Sequence, residues 1–299
     1  MPFLKNDLSP RSVALGGASL AMDGDPYSMA VNPAAASLAT YPTMAVTSRR
    51  MPAGIFQSYL GGILPLKDRS ALLVSLNYFS TGSQKRRTEF QPFGDGTVYN
   101  SDAAKVGIGY SKSLSKMFSF GLNLNFINER LAQYSANAIT ADLGFLYKTD
   151  WRDLSFAVGF QHFGGNSTLS GSDLAVMYNR TDGVVKEGYG APTLFSMGVS
   201  MLAFQETVHR LTVSGQLNHP NDNAENLRFG AEYTFDSLFF ARAGYKINVK
   251  GESYSAGVGV RTRIGAFPLR IEYALAPNSY LGMFHTLGIT IGFIKPGQP

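Results

Sequence analysis

The chain has 299 residues, a formal charge of +5 and only 16% charged residues, well below the roughly 25% of soluble domains. It has no cysteine, which excludes disulfide scaffolds, thiolate metal sites and cysteine nucleophiles. It also has no uninterrupted apolar run of the roughly 18 residues that a transmembrane helix needs.

Residues 14–34, ALGGASLAMDGDPYSMAVNPA, open the chain with small residues, a glycine pair and two turn signals, Asp23-Gly24-Asp25-Pro26 and Asn32-Pro33. Neither a helical nor a strand period runs through them, so this stretch is predicted to be compact and turn-rich. From Thr43 onward apolar and polar residues alternate. Period-2 patterning predicts fourteen strands, at 43–50, 54–66, 70–81, 103–113, 117–130, 135–148, 153–163, 192–203, 207–218, 226–235, 238–247, 253–263, 267–276 and 283–294. The clearest sets Leu211, Val213, Gly215 and Leu217 against Thr212, Ser214, Gln216 and Asn218.

Most of these strands reach the roughly 9–11 residues needed to cross a bilayer, longer than globular strands of about 5–6. Alternate links are short, at 66–70, 114–117, 150–153, 205–207, 236–237 and 265–266. The two longest, near 82–102 and 164–191, both fall in the opposite phase. Short periplasmic turns and longer outer loops produce this asymmetry in outer-membrane barrels, whereas a soluble β-sandwich has no reason to keep it. The expected fold is all-β, a single 14-stranded antiparallel transmembrane barrel over residues 42–295. A plug formed by residues 1–41 lies inside the lumen, and residues 296–299 form a short periplasmic tail. A barrel this wide leaves a lumen that its own wall side chains do not fill, hence the plug.

In the last five strands Arg228, Glu232, Arg242, Lys246, Arg261, Arg263, Arg270 and Glu272 share one face. A charge facing lipid at mid-depth costs about 2–4 kcal/mol, so that face is expected to line the lumen. The five arginines are expected to pair with Glu232, Glu272 and polar groups of the plug. Gly61, Gly62 and Pro65 interrupt the second strand. They mark a bulge that either bends the strand near its turn, the favoured alternative, or opens a side gate from lumen to lipid.

The chemistry-bearing patterns are thin. His162, His209, His219 and His285 lie at no metal-binding spacing, and Asp23-Gly24-Asp25 lacks the rest of a calcium loop. Ser113-Leu114-Ser115-Lys116 matches SxxK but falls where a turn is expected. The basic run Lys85-Arg86-Arg87 reads as a solvated loop face rather than a nucleic-acid site. No enzymatic activity, metal or cofactor is expected.

The segment FLKNDLSPRSVALGGASLAMDGDPYSMAVNPAAASLA resembles the N-terminal signature of the FadL-like outer-membrane proteins, in particular their PorV/PorQ branch. The matching positions are Arg11, the run from Ala14 through Gly16 and Gly17, then Asp23 and Asp25, then Asn32, Pro33 and Ala34. Thr286, Gly288, Ile291 and Phe293 are similar to the pattern that assembly machinery reads on final barrel strands. The resemblance implies a monomeric, lipid-embedded barrel in a bacterial outer membrane, preceded before export by a signal peptide. It also implies service to type IX secretion through binding of machinery components or signal-domain cargo. The alternative is a FadL-type channel for hydrophobic small molecules.

Overall fold

Alternation of period two dictates a sheet with two chemically different faces, and the computed structural model, which describes residues 1–22, 25–171 and 188–294, closes that sheet on itself. The fourteen antiparallel strands are β1 (Thr43–Arg50), β2 (Phe56–Pro65), β3 (Ser70–Ser80), β4 (Ser101–Ser113), β5 (Phe118–Leu131), β6 (Tyr134–Lys148) and β7 (Ser155–Gly164). They continue with β8 (Leu194–Gln205), β9 (His209–Pro220), β10 (Asn226–Phe235), β11 (Phe239–Ile247), β12 (Tyr254–Ile264), β13 (Phe267–Asn278) and β14 (Gly282–Gly292). Each pairs with its neighbours in sequence, and β14 closes on β1 from Thr43↔Gly292 to Arg50↔His285. Every expected strand is present. Closure leaves no unpaired edge, which a sheet in hydrocarbon requires.

The burial pattern is inverted relative to a soluble sheet. On β14, Leu287, Ile289 and Ile291 point outward and exposed while Thr286, Gly288 and Thr290 point inward and buried. Ile108, Ile139 and Val258 on the outer surface are 62, 69 and 58% exposed, whereas the inward Asn77, Asn123 and Asp142 are at most 1% exposed. Continuous apolar exposure on this scale is an aggregation surface in water and a normal surface in lipid.

Three of the short links, at Asp68-Arg69, Arg152-Asp153 and Asp236-Ser237, carry consecutive φ angles of 50–58°. Such pairs make the primed turns that match strand twist. The two long links emerge at the other rim and carry small hairpins of their own, Gln84–Lys85 with Val98–Tyr99 and Asn166–Thr168 with Gly188–Gly190. Lys85, Arg86 and Arg87 sit exposed on the first of these.

The bulge expected at Gly61, Gly62 and Pro65 is absent. β2 pairs without a register shift with β1, from Phe56↔Arg50 to Ile63↔Thr43, and with β3, from Phe56↔Ser80 to Pro65↔Ala71. Pro65 is tolerated because it is the last residue of the strand. Gly61 answers a different need, since a Cβ there would collide with the Tyr59 ring and with the Pro26 carbonyl of the N-terminal segment. The register does shift elsewhere, between Ala141 and Leu143 opposite Gln161-His162, where His162 takes a φ of 57°, and again between Leu202 and Phe204.

The segment before β1 folds as short turns: Pro2–Lys5, Pro10–Ala14, Ser28–Val31 and Pro33–Leu38. Two of them start on the same device, a capping side chain followed by proline. The Ser9 hydroxyl accepts from Ser12 N at 3.3 Å, and Asn32 Oδ1 accepts from Ala34 N at 3.0 Å. Apolar side chains of this segment pack on the inward faces of strands all round the wall. Val13 and Ala14 meet Ala274, Ala276 and Phe284; Leu20 and Ala34 meet Leu146 and Ala157; Met29 and Ala36 meet Ile63 and Leu73.

Candidate functional site: the lumen between the N-terminal segment and the wall

The wall reaches the segment through glycines. On the inward faces of β11, β5 and β6, a Cβ at Gly244 would overlap the backbone of Leu15 and Gly16. One at Gly121 would overlap the backbone of Pro33 and Ala34, and one at Gly144 the Asn32 side chain. Gly257 and Gly288 likewise make room for Ala14 and Pro10. Of these wall glycines only Gly288 is singled out by the sequence, and there as part of the final-strand pattern rather than as a contact with the segment. Their one signal is phase, because they occupy inward positions of strands otherwise lined with polar residues.

The motif residues of the segment are brought into this contact. Gly16 and Gly17 have φ of 65° and 83°, a conformation natural to glycine, and Gly16 N donates to Ser255 Oγ at 3.0 Å. Asn32 is 1% exposed and donates through Nδ2 to the carbonyls of Leu20 at 3.0 Å and Phe145 at 3.3 Å. Pro33 and Ala34 lie against Gly121, with Ala34 wholly buried. Asp23 lies outside the described residues, as does the tail at 296–299. Gly288 and Thr286 face the lumen, Ile291 faces outward, and Phe293 follows β14 with its ring 6.0 Å from Phe267.

All eight charged residues of the last five strands occupy inward positions. Their pairing forms a chain that leaves the segment and returns to it. Arg11 holds both oxygens of Glu232, at 2.8 and 2.6 Å, and Arg242 Nε donates to Glu232 at 2.6 Å. Arg242 then reaches Glu272 at 2.7 Å, Arg270 meets Glu272 at 3.2 Å, and Arg270 closes on Asp25 of the segment at 3.1 Å. The two contacts to Glu272 are ion pairs without hydrogen-bond alignment. Gly259 on the intervening strand β12 clears the path, since its Cβ would stand 3.2 Å from Glu272 Cγ and 3.4 Å from Arg242 Nη1.

Nearer the outer rim, Arg228 lies 3.6 Å from Asp7, and Lys246 pairs with Glu252. Arg261 and Arg263 depart from the expected pairing. Neither has an ion pair among the described residues, and Arg261 rests on the Phe240 ring instead, 5.1 Å from its centroid.

A cavity of about 260 Å³ lies between the segment and the wall on the outer side. Leu4, Leu8, Leu20 and Val31 form its apolar part, and Arg49, Lys105, Arg228 and Lys246 its cationic part, with Asp7 among them. Gln161, at the register shift, donates to the carbonyls of Ala30 and Val31 at 3.0 and 3.1 Å and so ties the wall to the floor of this cavity.

Burial pushes the Asp7 carboxyl up. The opposing pull of Arg228, Lys246 and Arg49, with a hydrogen bond from Ser12, more than offsets it and holds the group below the usual carboxylate range. A depressed carboxylate stabilises the docked state above its ordinary pKa, and that contribution is lost as pH falls through the lower folded value. Protease resistance of residues 1–41, followed against pH in detergent, is therefore expected to be flat from neutral to about pH 4 and to fall only below it.

No family model matches the chain, and no curated protein matches it. Solved structures do. The Pseudomonas putida toluene transporter TodX aligns with TM-score 0.63 at 11% identity, over 96% of this chain and 97% of its own. A Pseudomonas aeruginosa FadL homologue aligns with TM-score 0.62 at 10% identity, over 96% and 98%. The monoaromatic hydrocarbon channel CymD gives 0.61 at 10% identity over the same shares. At such identity the likeness is one of fold. The chain has the FadL-like fold of an outer-membrane β-barrel, and its apolar exterior is the surface that location demands.

Proposed function

We propose that this barrel is an outer-membrane channel for small hydrophobic molecules, with residues 1–41 acting as its hatch. The observation that carries this is the outer cavity, whose floor is the N-terminal segment and whose lining includes residues of the outer links, Asn223, Asn248 and Val249. A second cavity of about 230 Å³, lined by Arg11, Arg210 and Arg242, lies at the opposite end, with the Arg11–Glu232 pair at its boundary. Passage from one to the other requires the segment to move. The mixed lining favours a molecule with an apolar body and a polar substituent. Likeness of fold to a toluene transporter and a monoaromatic hydrocarbon channel supports the apolar body of such a ligand.

Service to type IX secretion, with machinery components or cargo as partners, has only the N-terminal signature in its favour. Asn32 and Ala34 of that signature are buried against the wall, where they dock the segment and are out of reach of a partner protein. Two of the solved structures of like fold are a toluene transporter and a monoaromatic hydrocarbon channel.

The channel is tested by initial uptake of radiolabelled p-cresol, an aromatic ring with one polar substituent, into cells whose outer membrane carries the protein. Uptake is expected to be several-fold faster than in cells without it, and to be cut severely by Leu194→Trp, which fills the cavity from the wall. Equal rates with and without the protein refute it.

A further inference from the structure

Among the described residues, the lumenal carboxylates near the periplasmic end are already engaged. Asp25 pairs with Arg270, Asp153 with Arg210, Glu232 with Arg11 and Arg242, and Glu272 with Arg242 and Arg270. Arg261 and Arg263 are left over, on the inward face of β12, and Arg261 stands directly across the ladder from Arg270. Like charges placed opposite one another in a sheet repel; Asp25 and Glu272 neutralise Arg270, whereas Arg261 has no acid of its own among the described residues. Arg261 is also held in place, with its guanidinium stacked on the Phe240 ring that Arg242 stacks on as well, each 5.1 Å from the centroid.

A second observation points to a ligand. A cavity of about 210 Å³ is lined by Arg261, Arg270, Tyr41, Thr43 and Thr290, and by Asp25, whose charge Arg270 holds. The buried hydroxyls of Thr43 and Thr290 have no hydrogen-bond partner. Buried hydroxyls are ordinarily satisfied, and two unsatisfied donors beside an uncompensated guanidinium describe a receptor for a multi-oxygen anion. Guanidinium groups bind phosphate-type oxyanions in two-pronged fashion, and hydroxyls take the remaining oxygens.

We propose that the periplasmic mouth of the barrel binds a phosphate group, with Arg261 as its cationic donor, Thr43 and Thr290 as its hydroxyl donors, and Arg263 in the adjoining groove as a second cation at its entrance. The site is independent of the cavity on which the channel rests. The same chemistry is offered by a free phosphate and by a phospholipid headgroup. The rim allows the second source. Pairing of β11 with β12 ends at Phe239↔Val260, and β12 runs on to Ile264. A groove there joins Arg261 and Arg263 to the outward Phe239 and to Ile294.

The test uses the full chain in dodecyl maltoside and the Arg261→Gln/Arg263→Gln double variant. Neither arginine holds a carboxylate, so the variant leaves no buried acid unpaired and is expected to keep the heat-modifiable mobility of a folded barrel. Isothermal titration with inorganic phosphate is expected to show binding that weakens about tenfold or more in the variant. Native mass spectrometry after reconstitution in phosphatidylglycerol vesicles forms the second arm. Phosphatidylglycerol retained by the parent and lost from the variant, without phosphate binding, assigns the site to the headgroup. Binding of neither probe, or equal binding by parent and folded variant, overturns the proposal.

Discussion

Glu232→Gln is expected to free residues 1–41 from the lumen while the barrel stays assembled. Glu232 is the acid on which the Arg11 guanidinium and the Arg242 Nε converge, and the side chains of Glu232 and Arg242 are 7% and 1% exposed. Glutamine keeps the shape and removes the negative charge on which both guanidiniums converge. Breaking a buried pair by removing one partner costs about 3–5 kcal/mol, because the remaining charge is neither solvated nor neutralised. Arg242 retains Glu272 and is fixed in the wall, so the relief available is for Arg11 to leave, and the segment leaves with it. That energy raises the undocked population on the order of 10²–10³-fold. Trypsin is then expected to cut at Lys5 and Arg11 in the variant and not in the parent, and conductance in a planar bilayer should rise. Arg11→Gln is expected to do less, since Glu232 keeps Arg242. Unchanged proteolysis and conductance in Glu232→Gln would remove the role given to this pair.

The contrast between the two halves of that ion-pair chain shows how far the sequence was legible. Period-2 alternation, strand length and loop phase are local properties, so the fourteen strands and the inward phase of Arg228, Glu232, Arg242 and Arg270 follow from the sequence. Which acid meets which base is set by register across strands. The bridge from Arg242 to Glu272 skips over Gly259, and no spacing in the sequence announces it. The same blindness misassigned β2. Gly61, Gly62 and Pro65 look like a defect along one strand, whereas the ladder they belong to is continuous. The true shift, at Gln161-His162, hides in an apolar-aromatic run because one extra residue changes phase without changing composition. Partners for Arg261 and Arg263 follow only from the assumption that lumenal charges neutralise one another, and among the described residues neither has an ion pair.

Gly244→Ala is expected to displace the segment by shape alone. The added methyl points into the lumen, where the backbone of Leu15 and Gly16 already occupies its position. Neither atom belongs to a flexible side chain that can swing aside. Gly16 is held at φ 65° with its N–H on Ser255 Oγ, and Leu15 is wholly buried against Gly230 of the neighbouring strand. Overpacking a well-filled interior costs about 1–3 kcal/mol even where side chains can adjust, so a backbone clash stands at or above the top of that range. Alanine in place of glycine does not weaken a strand, and the barrel itself should be as stable as before. Gly215→Ala is the matched control, because its Cβ would meet only Val199 and Phe229 at ordinary contact distances of 3.7–3.9 Å. Gly244→Ala is expected to show exposed Lys5 and Arg11 sites and raised conductance, and Gly215→Ala neither. The charge chain adds a further distinction. Undocking in Gly244→Ala leaves Glu232 able to recapture Arg11, so its openings should be brief, whereas Glu232→Gln should open for longer. Identical behaviour of the two glycine variants would mean that the segment is not held by close fit against β11.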